Sequence, residues 1–293
     1  MSGFELASCG PEHRDDYLAL LREAWGPGSM SREEFEWWFE RNPAGSLTSV
    51  ALAAGRVVGV AGHSLFRAVV GGRECVVSFS VHATTHASAR GQGIFAELER
   101  KHEREAAERG VECVLAFASA PTAPIFLGPL GWTELGRLRV WARPVVRGGA
   151  AAAPAVFSSD EDAARTWPNH LVRDGRYLSW RYGDSPRGYV RVDSAGGYAV
   201  VWPAKAHRGR TISILADVVA PPGDVRGLLR RAARVCRSRL LFALPGPGGA
   251  ASYASAGFVP TPMTLHVLGK ALAGRLDARL DAWRFTLGDT DFF

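Results

Sequence analysis

The chain has 293 residues, 47% of them hydrophobic and 22% charged, with a formal net charge of +6. That is the balance of a packed soluble protein with room for one large or two ordinary domains, and no apolar run is long enough to span a bilayer. The start, "MSGFELASCGPEHRDD", lacks the basic stretch and apolar core of a signal peptide. The four cysteines, Cys9, Cys75, Cys113 and Cys236, show no metal-like or redox-like pairing, so the expected compartment is the reducing cytoplasm. Lys101, Lys205 and Lys270 are the only lysines, so arginine carries almost all the positive charge. Arginine suits bidentate phosphate contacts, but GC-rich codons give the same composition. No basic tail argues for nucleic acid.

In chain order, "PEHRDDYLALLREAW" places Tyr17, Leu18, Leu21 and Trp25 at helical spacing. Ser31 and Glu34 form a capping-box signature for a second helix, expected to stop near Pro43. Strand-like runs follow: "TSVALAA", "RVVGVAGHSLFRAVV" and "ECVVSFSVHATT", with Gly71-Gly72 as a hairpin turn. After the stretch "HASARGQGIF" comes a helix expected to end at Gly110, then the strand "ECVLAFAS", a short helix leading to "LGW" and the strand "TELGRLRVWARP". A strand, glycine turn, helix and strand within a mostly antiparallel set imply one parallel crossover. The Ala-, Gly- and Pro-rich residues 147–158 read as a linker between domains at 1–146 and 159–293.

The second half repeats the first. Trp37, Phe39, Pro43 and Gly45 recur at the same spacing as Trp180, Tyr182, Pro186 and Gly188, and "LGW" at Trp132 has a counterpart in "AGF" at Phe258. Two matches in the same order point to two copies of one fold. Where the second copy would carry its glycine turn, "ISILADVVAPPGDVRGLL" has no such pattern.

Arg90-Gly91-Gln92-Gly93 has the chemistry of a pyrophosphate cradle. A helix start exposes unpaired backbone N–H groups and positive partial charge, and glycines let a ligand approach. An ordinary glycine-bearing helix start fits the same residues. In its context, "HASARGQGIFAELERKHEREAAERGVECVLAFAS…FLGPLGW", the chain resembles the GNAT family of acetyl-CoA-dependent N-acyltransferases. Arg90 and Gly93 match the family's Arg/Gln-x-x-Gly-x-Gly/Ala signature, and Phe95 departs from it at the last position. The resemblance covers roughly residues 1–145, and 160–293 more loosely.

The resemblance implies an α+β fold: two GNAT-like domains in tandem, each a mixed, mostly antiparallel sheet flanked by helices. It implies acetyl-CoA, or another short acyl-CoA, with its pyrophosphate on Arg90, Gly91, Gln92, Gly93, Ile94 and Phe95. Its pantetheine would lie along Ala83, Thr84 and Thr85. The acyl group would pass directly to an amine of a small molecule. In the family the proton donor to the departing thiolate is often a tyrosine shortly before "LGF"; here Phe126 and Leu127 occupy that region. Phe95 is compatible if its ring faces the core beside Leu98. His82 is the first candidate base, since histidine titrates near neutrality. His63 is expected to face the same cleft, and Ser80 and Glu74 are fallbacks. His86 is read as ordering the turn. Asp289 and Asp291 near the end are candidates for binding a cationic amine. A non-catalytic acyl-CoA-binding module and an aminoacyl-tRNA-dependent peptidyl transferase remain alternatives.

Overall fold

The capping box opens the second helix as expected: Ser31 Oγ accepts from the Glu34 N–H at 3.1 Å, and Glu34 returns the bond to the Ser31 N–H at 3.0 Å. The computed structural model describes residues 3–158, 162–163, 167–207, 209–246 and 249–290. The first half runs β1 (Glu5–Ser8), α1 (Arg14–Trp25), α2 (Arg32–Phe35), β2 (Ser46–Ala53), β3 (Arg56–Val70), β4 (Arg73–Thr85), α3 (Ile94–Glu108), β5 (Cys113–Ala118), α4 (Ala123–Leu127) and β6 (Thr133–Pro144). The second half runs α5 (Gly175–Leu178), β7 (Val190–Ser194), β8 (Gly197–His207), β9 (Arg210–Val219), α6 (Pro222–Val235), β10 (Leu240–Ala243), α7 (Gly249–Ser255) and β11 (Val259–Ala271). Among the described residues no helix is long and apolar enough to cross a membrane.

The chain divides into two compact units. The first comprises residues 1–136 and 266–280. Its strands lie in the order β1, β2, β3, β4, β5, β11, antiparallel except for the β4–β5 pair. Helix α3 makes the crossover between those two parallel strands. It docks through Ile94, Leu98, His102 and Ala106, a stripe of buried residues four apart. Gly59 and Gly62 on β3 permit close approach from both sides. A Cβ at Gly59 would lie 2.5 Å from Ile94 Cγ2 in the first turn of α3, and one at Gly62 would lie 2.5 Å from Phe39 Cζ. Trp132 of "LGW" is buried, and its indole N–H donates to Glu103 of α3 at 2.6 Å. Lys270 joins the same carboxylate at 2.6 Å.

The second unit comprises residues 137–265 and 281–293. Its strands lie in the order β7, β8, β9, β10, β6, again antiparallel except for one parallel pair, β9 with β10, joined through α6. Val225, Leu228, Leu229 and Ala232 of α6 pack on Val201, Leu215, Leu241 and Phe258. The repeat seen in the sequence is a repeat in backbone. Asp174 caps α5 by accepting from the Tyr177 N–H, as Ser31 caps α2. Each short helix then widens into a π-helical turn, Glu36–Glu40 in one unit and Ser179–Gly183 in the other. The wide turns close through Arg41 N–H to Glu36 O at 2.9 Å and Asp184 N–H to Ser179 O at 2.8 Å.

The units differ from an expected cut at residues 147–158. Each takes its last strand from the other half of the sequence: His266–Ala271 pair with β5, and Trp141–Pro144 pair with β10. The supposed linker is bound to the second unit by backbone bonds, from Gly149 to Cys236, Ala150 to Arg234 and Ala155 to Tyr189. Ala155 and Phe157 are buried there. A paired, partly buried backbone is not a free linker.

Candidate functional site

The glycine turn is built as its residues suggest. Gly91 and Gly93 hold φ of 79° and 78°, the left-handed region that glycine enters without strain. Gly93 caps α3, and the first backbone bond of the helix runs from the Glu97 N–H to Gly93 O at 3.1 Å. The N–H groups just before Glu97 therefore precede the helical ladder, where an anion is favoured. Arg90 and Gln92 are exposed, with Arg90 Nε donating to Thr85 O at 3.3 Å. Ile94 is buried beside Leu98. Phe95 turns into the core, but against Phe126 rather than Leu98: the ring centroids lie 5.3 Å apart, edge to face. Phe126 in turn packs on Trp132 at 4.6 Å and is buried, so it is a core residue at the place expected of a proton donor. His86 orders the approach to the turn, its side chain accepting from the Ser88 N–H.

Beside this turn the sheet splits. The parallel ladder of β4 with β5 runs from Val77↔Cys113 to Ser80↔Ala116 and ends there. Strand β4 continues to Thr85, paired on its other side with β3. Strand β5 continues to Ala118, paired with β11. Ala83, Thr84 and Thr85 thus lie on a strand end whose β5 side has no ladder, followed by the 3-10 turn Ala87–Ala89 and then the glycine turn. An extended amide chain can add to such an edge.

His82 sits where the split begins. The β3–β4 register shifts between Val60↔Thr84 and Gly62↔Val81, and His82 takes φ of +50° at that bulge. A left-handed non-glycine residue costs of order 1–3 kcal/mol and is held only by its surroundings. Those surroundings are aromatic: the rings of Trp38, Phe39 and Trp25 lie 5.7, 6.0 and 6.2 Å from the imidazole, and Tyr17 donates to His82 O at 3.2 Å. The sequence places Trp25 on the same helical pattern as buried Tyr17, Leu18 and Leu21, yet Trp25 is 51% exposed. It forms the solvent edge of the His82 surroundings. Trp37 and Trp38 are both fully buried, and the rings of Trp38 and Phe39 flank the candidate base.

His63 and Ser80 are elsewhere. Adjacent strand residues point to opposite faces. Gly62 faces Phe39 and Tyr17, whereas His63 faces α3, where its Nε2 lies 3.0 Å from Glu99 Oε2. Ser80 Oγ donates to Glu99 Oε1 at 2.9 Å. His63 therefore does not share a cleft with His82, and the bulge is the reason that Ser80 and His82, two apart on one strand, are separated. Glu74 lies at the hairpin end, exposed and bonded to Arg67 at 2.7 Å.

Asp289 is not open to a substrate. It is buried in the second unit, where its two oxygens accept from Arg173 Nη2 at 2.8 and 2.9 Å and from the Thr286 N–H at 2.8 Å. Asp217 completes the pair on Arg173, with Oδ2 2.6 Å from Nε. The carboxylate that a free tail would offer to an amine is consumed by a buried arginine. Asp291 lies outside the described residues. The cysteines are poor nucleophiles: burial pushes the thiols of Cys9 and Cys113 up to about 12 and those of Cys75 and Cys236 up to about 11.

Residues 7–135 match the family described as "Acetyltransferase (GNAT) domain". No curated protein sequence matches the chain. Among solved structures, the chain is similar to a GCN5-related N-acetyltransferase from Anabaena variabilis, with a TM-score of 0.61, 12% identity, and 92% of this chain covering 73% of that one. A GCN5-related N-acetyltransferase from Kribbella flavida gives 0.60 and 15%, with 92% covering 71%. Saccharomyces cerevisiae N-myristoyltransferase with bound myristoyl-CoA gives 0.65 and 11%, with 95% covering 84%. At such identities the likeness is one of fold.

Proposed function

We propose that this chain, whose residues 7–135 match the GNAT acetyltransferase domain model, is an N-acyltransferase moving an acetyl or other short acyl group from acyl-CoA to an amine of a small molecule. The observation that carries this reading is the end of the β4–β5 ladder at Ser80↔Ala116, with β4 running on to Thr85 and the glycine turn. Ala83–Thr85 would receive the pantetheine amides. Arg90 and the N–H groups of Gly91 to Phe95 would hold the pyrophosphate. Phe95 supports this, since its ring lies against Phe126 and its backbone stays at the helix start.

A protonated amine must lose a proton before it attacks a thioester. His82 is assigned that role, because it flanks the pantetheine edge and lies against half-exposed Trp25. The amine nitrogen then bonds to the acyl carbon, the carbon–sulfur bond breaks, and the sulfur leaves as coenzyme A thiol once protonated. The raised cysteine pKa values support direct transfer within a ternary complex over an acyl-cysteine route. The second unit carries α6 with no glycine turn and Pro221 at its cap, so one acyl-CoA per chain is expected.

A non-catalytic acyl-CoA-binding role is the second reading, favoured by buried Phe126 at the position expected of a donor tyrosine. A coenzyme A release assay across amino sugars, aminoglycoside-like amines, amino acids and peptides separates the two. Amine-dependent release supports the transferase. Acyl-CoA binding with no release above hydrolysis for any amine supports the binder.

A further inference from the structure

The sheet-facing side of α3 holds three side chains with no task in acyl transfer. His63 of β3 and Glu99 and His102 of α3 are fully buried, and one donor atom from each lies within 4.8 Å of the others. Glu99 and His102 are three residues apart and share a helix face.

The second observation is how serines hold one polar atom of each. Ser78 Oγ lies 2.9 Å from His63 Nδ1, Ser80 Oγ 2.9 Å from Glu99 Oε1, and Ser49 Oγ 2.9 Å from His102 Nε2. That leaves His63 Nε2, Glu99 Oε2 and His102 Nδ1. The first two are 3.0 Å apart, and His102 Nδ1 has no hydrogen-bond partner among the described residues. In the tautomer whose Nε2–H donates to Ser49, Nδ1 keeps a lone pair that no donor among the described residues meets. A buried polar atom left so is costly unless something binds it.

We propose that His63, Glu99 and His102 bind one divalent transition-metal ion of the zinc type, which pins α3 to β3. Two imidazoles and a carboxylate form a known zinc donor set, whose fourth position would take a water trapped as the helix docks. Ligand bonds of about 2.0–2.2 Å place neighbouring donor atoms about 3.3 Å apart in a tetrahedral site, close to the 3.0 Å between His63 and Glu99. The serines orient the outer atoms as second-layer hydrogen bonds do around metal ligands. The site is sealed, so the ion enters as α3 docks during folding. Its role is to fix the helix whose N-terminus forms the glycine turn.

The test uses the full chain, produced without a metal-binding tag and refolded from guanidinium with zinc, with cobalt or with EDTA. The proposal predicts a stoichiometric ion, visible d–d absorption in the cobalt form, and a higher Tm with zinc than with EDTA. His102→Gln should lose the cobalt absorption, and His13→Gln should keep it. If wild-type protein shows no cobalt absorption and the same Tm with zinc and EDTA, the cluster is only a buried ion pair and the proposal falls. Undiminished absorption in a folded His102→Gln protein also overturns it. The wild-type arms decide the matter even if a variant fails to fold, and none of them depends on acyl-CoA binding.

Discussion

Replacing Asp289 with alanine tests whether the C-terminal segment is structural. The carboxylate takes two bonds from Arg173 and one each from the Thr286 N–H and hydroxyl, at 2.8 to 3.1 Å. Arg173 is 1% exposed and would keep Asp217 as its one counter-charge among the described residues. Removing one partner of a buried ion pair costs about 3–5 kcal/mol. With a urea m value of about 2–3 kcal/mol/M, the unfolding midpoint should fall by about 1–2.5 M. Asp289→Asn keeps an acceptor for the Thr286 N–H but loses the charge, and should fall in between. Urea titration followed by far-ultraviolet circular dichroism reads both. A midpoint shift below about 0.3 M for Asp289→Ala would refute the reasoning, and would return Asp289 to the role its place in the sequence suggests.

His82→Ala should lower kcat by about 100-fold, the lower range for general-base catalysis, with acyl-CoA affinity almost unchanged; steady-state kinetics near neutral pH with unaltered kcat would remove it as the base. Gly59→Val puts a side chain where Ile94 Cγ2 already lies 2.5 Å away. An overpacking cost of about 1–3 kcal/mol should lower Tm and loosen acyl-CoA binding, while Gly223→Ala, with open space around it, should change neither. Burial alone would raise the Asp217 carboxyl, but Arg173, Arg284 and hydrogen bonds outweigh it and hold the group below its ordinary value. Unfolded Asp217 binds its proton first, near pH 3.9. Its stabilisation is therefore full above that pH and is lost as pH falls toward the folded value. Acid-range urea titrations should show a shallower pH slope for Asp217→Asn than for wild type, and equal slopes would contradict the assignment.

Local features were legible in the sequence. The glycine turn, the Ser31 capping box and the Gly71-Gly72 hairpin each depend on a few neighbouring residues, and each is present. The Trp37 and Trp180 repeat was visible because a π-helical turn recurs around it. The exchange of last strands was not legible, since β6 and β11 read as strands whichever neighbour they take. His63 was misplaced because alternation along β4 ignores the bulge at His82, which depends on tertiary support. Glu99 and His102 were overlooked in a charge-rich helix, although a signal existed. His102 stands in the stripe Ile94, Leu98, His102, Ala106, a core position for a polar ring. Asp289 looked like tail chemistry because its partner Arg173 lies 116 residues away.

The most direct test is calorimetric titration of the protein with acetyl-CoA, beside the Gly93→Glu variant. Gly93 has open space around it but φ of +78°, so the variant puts strain and negative charge at the phosphate end of α3. The account predicts one acetyl-CoA bound per chain and no detectable heat with Gly93→Glu. No binding to the wild-type protein, or undiminished binding to a folded Gly93→Glu, would contradict it.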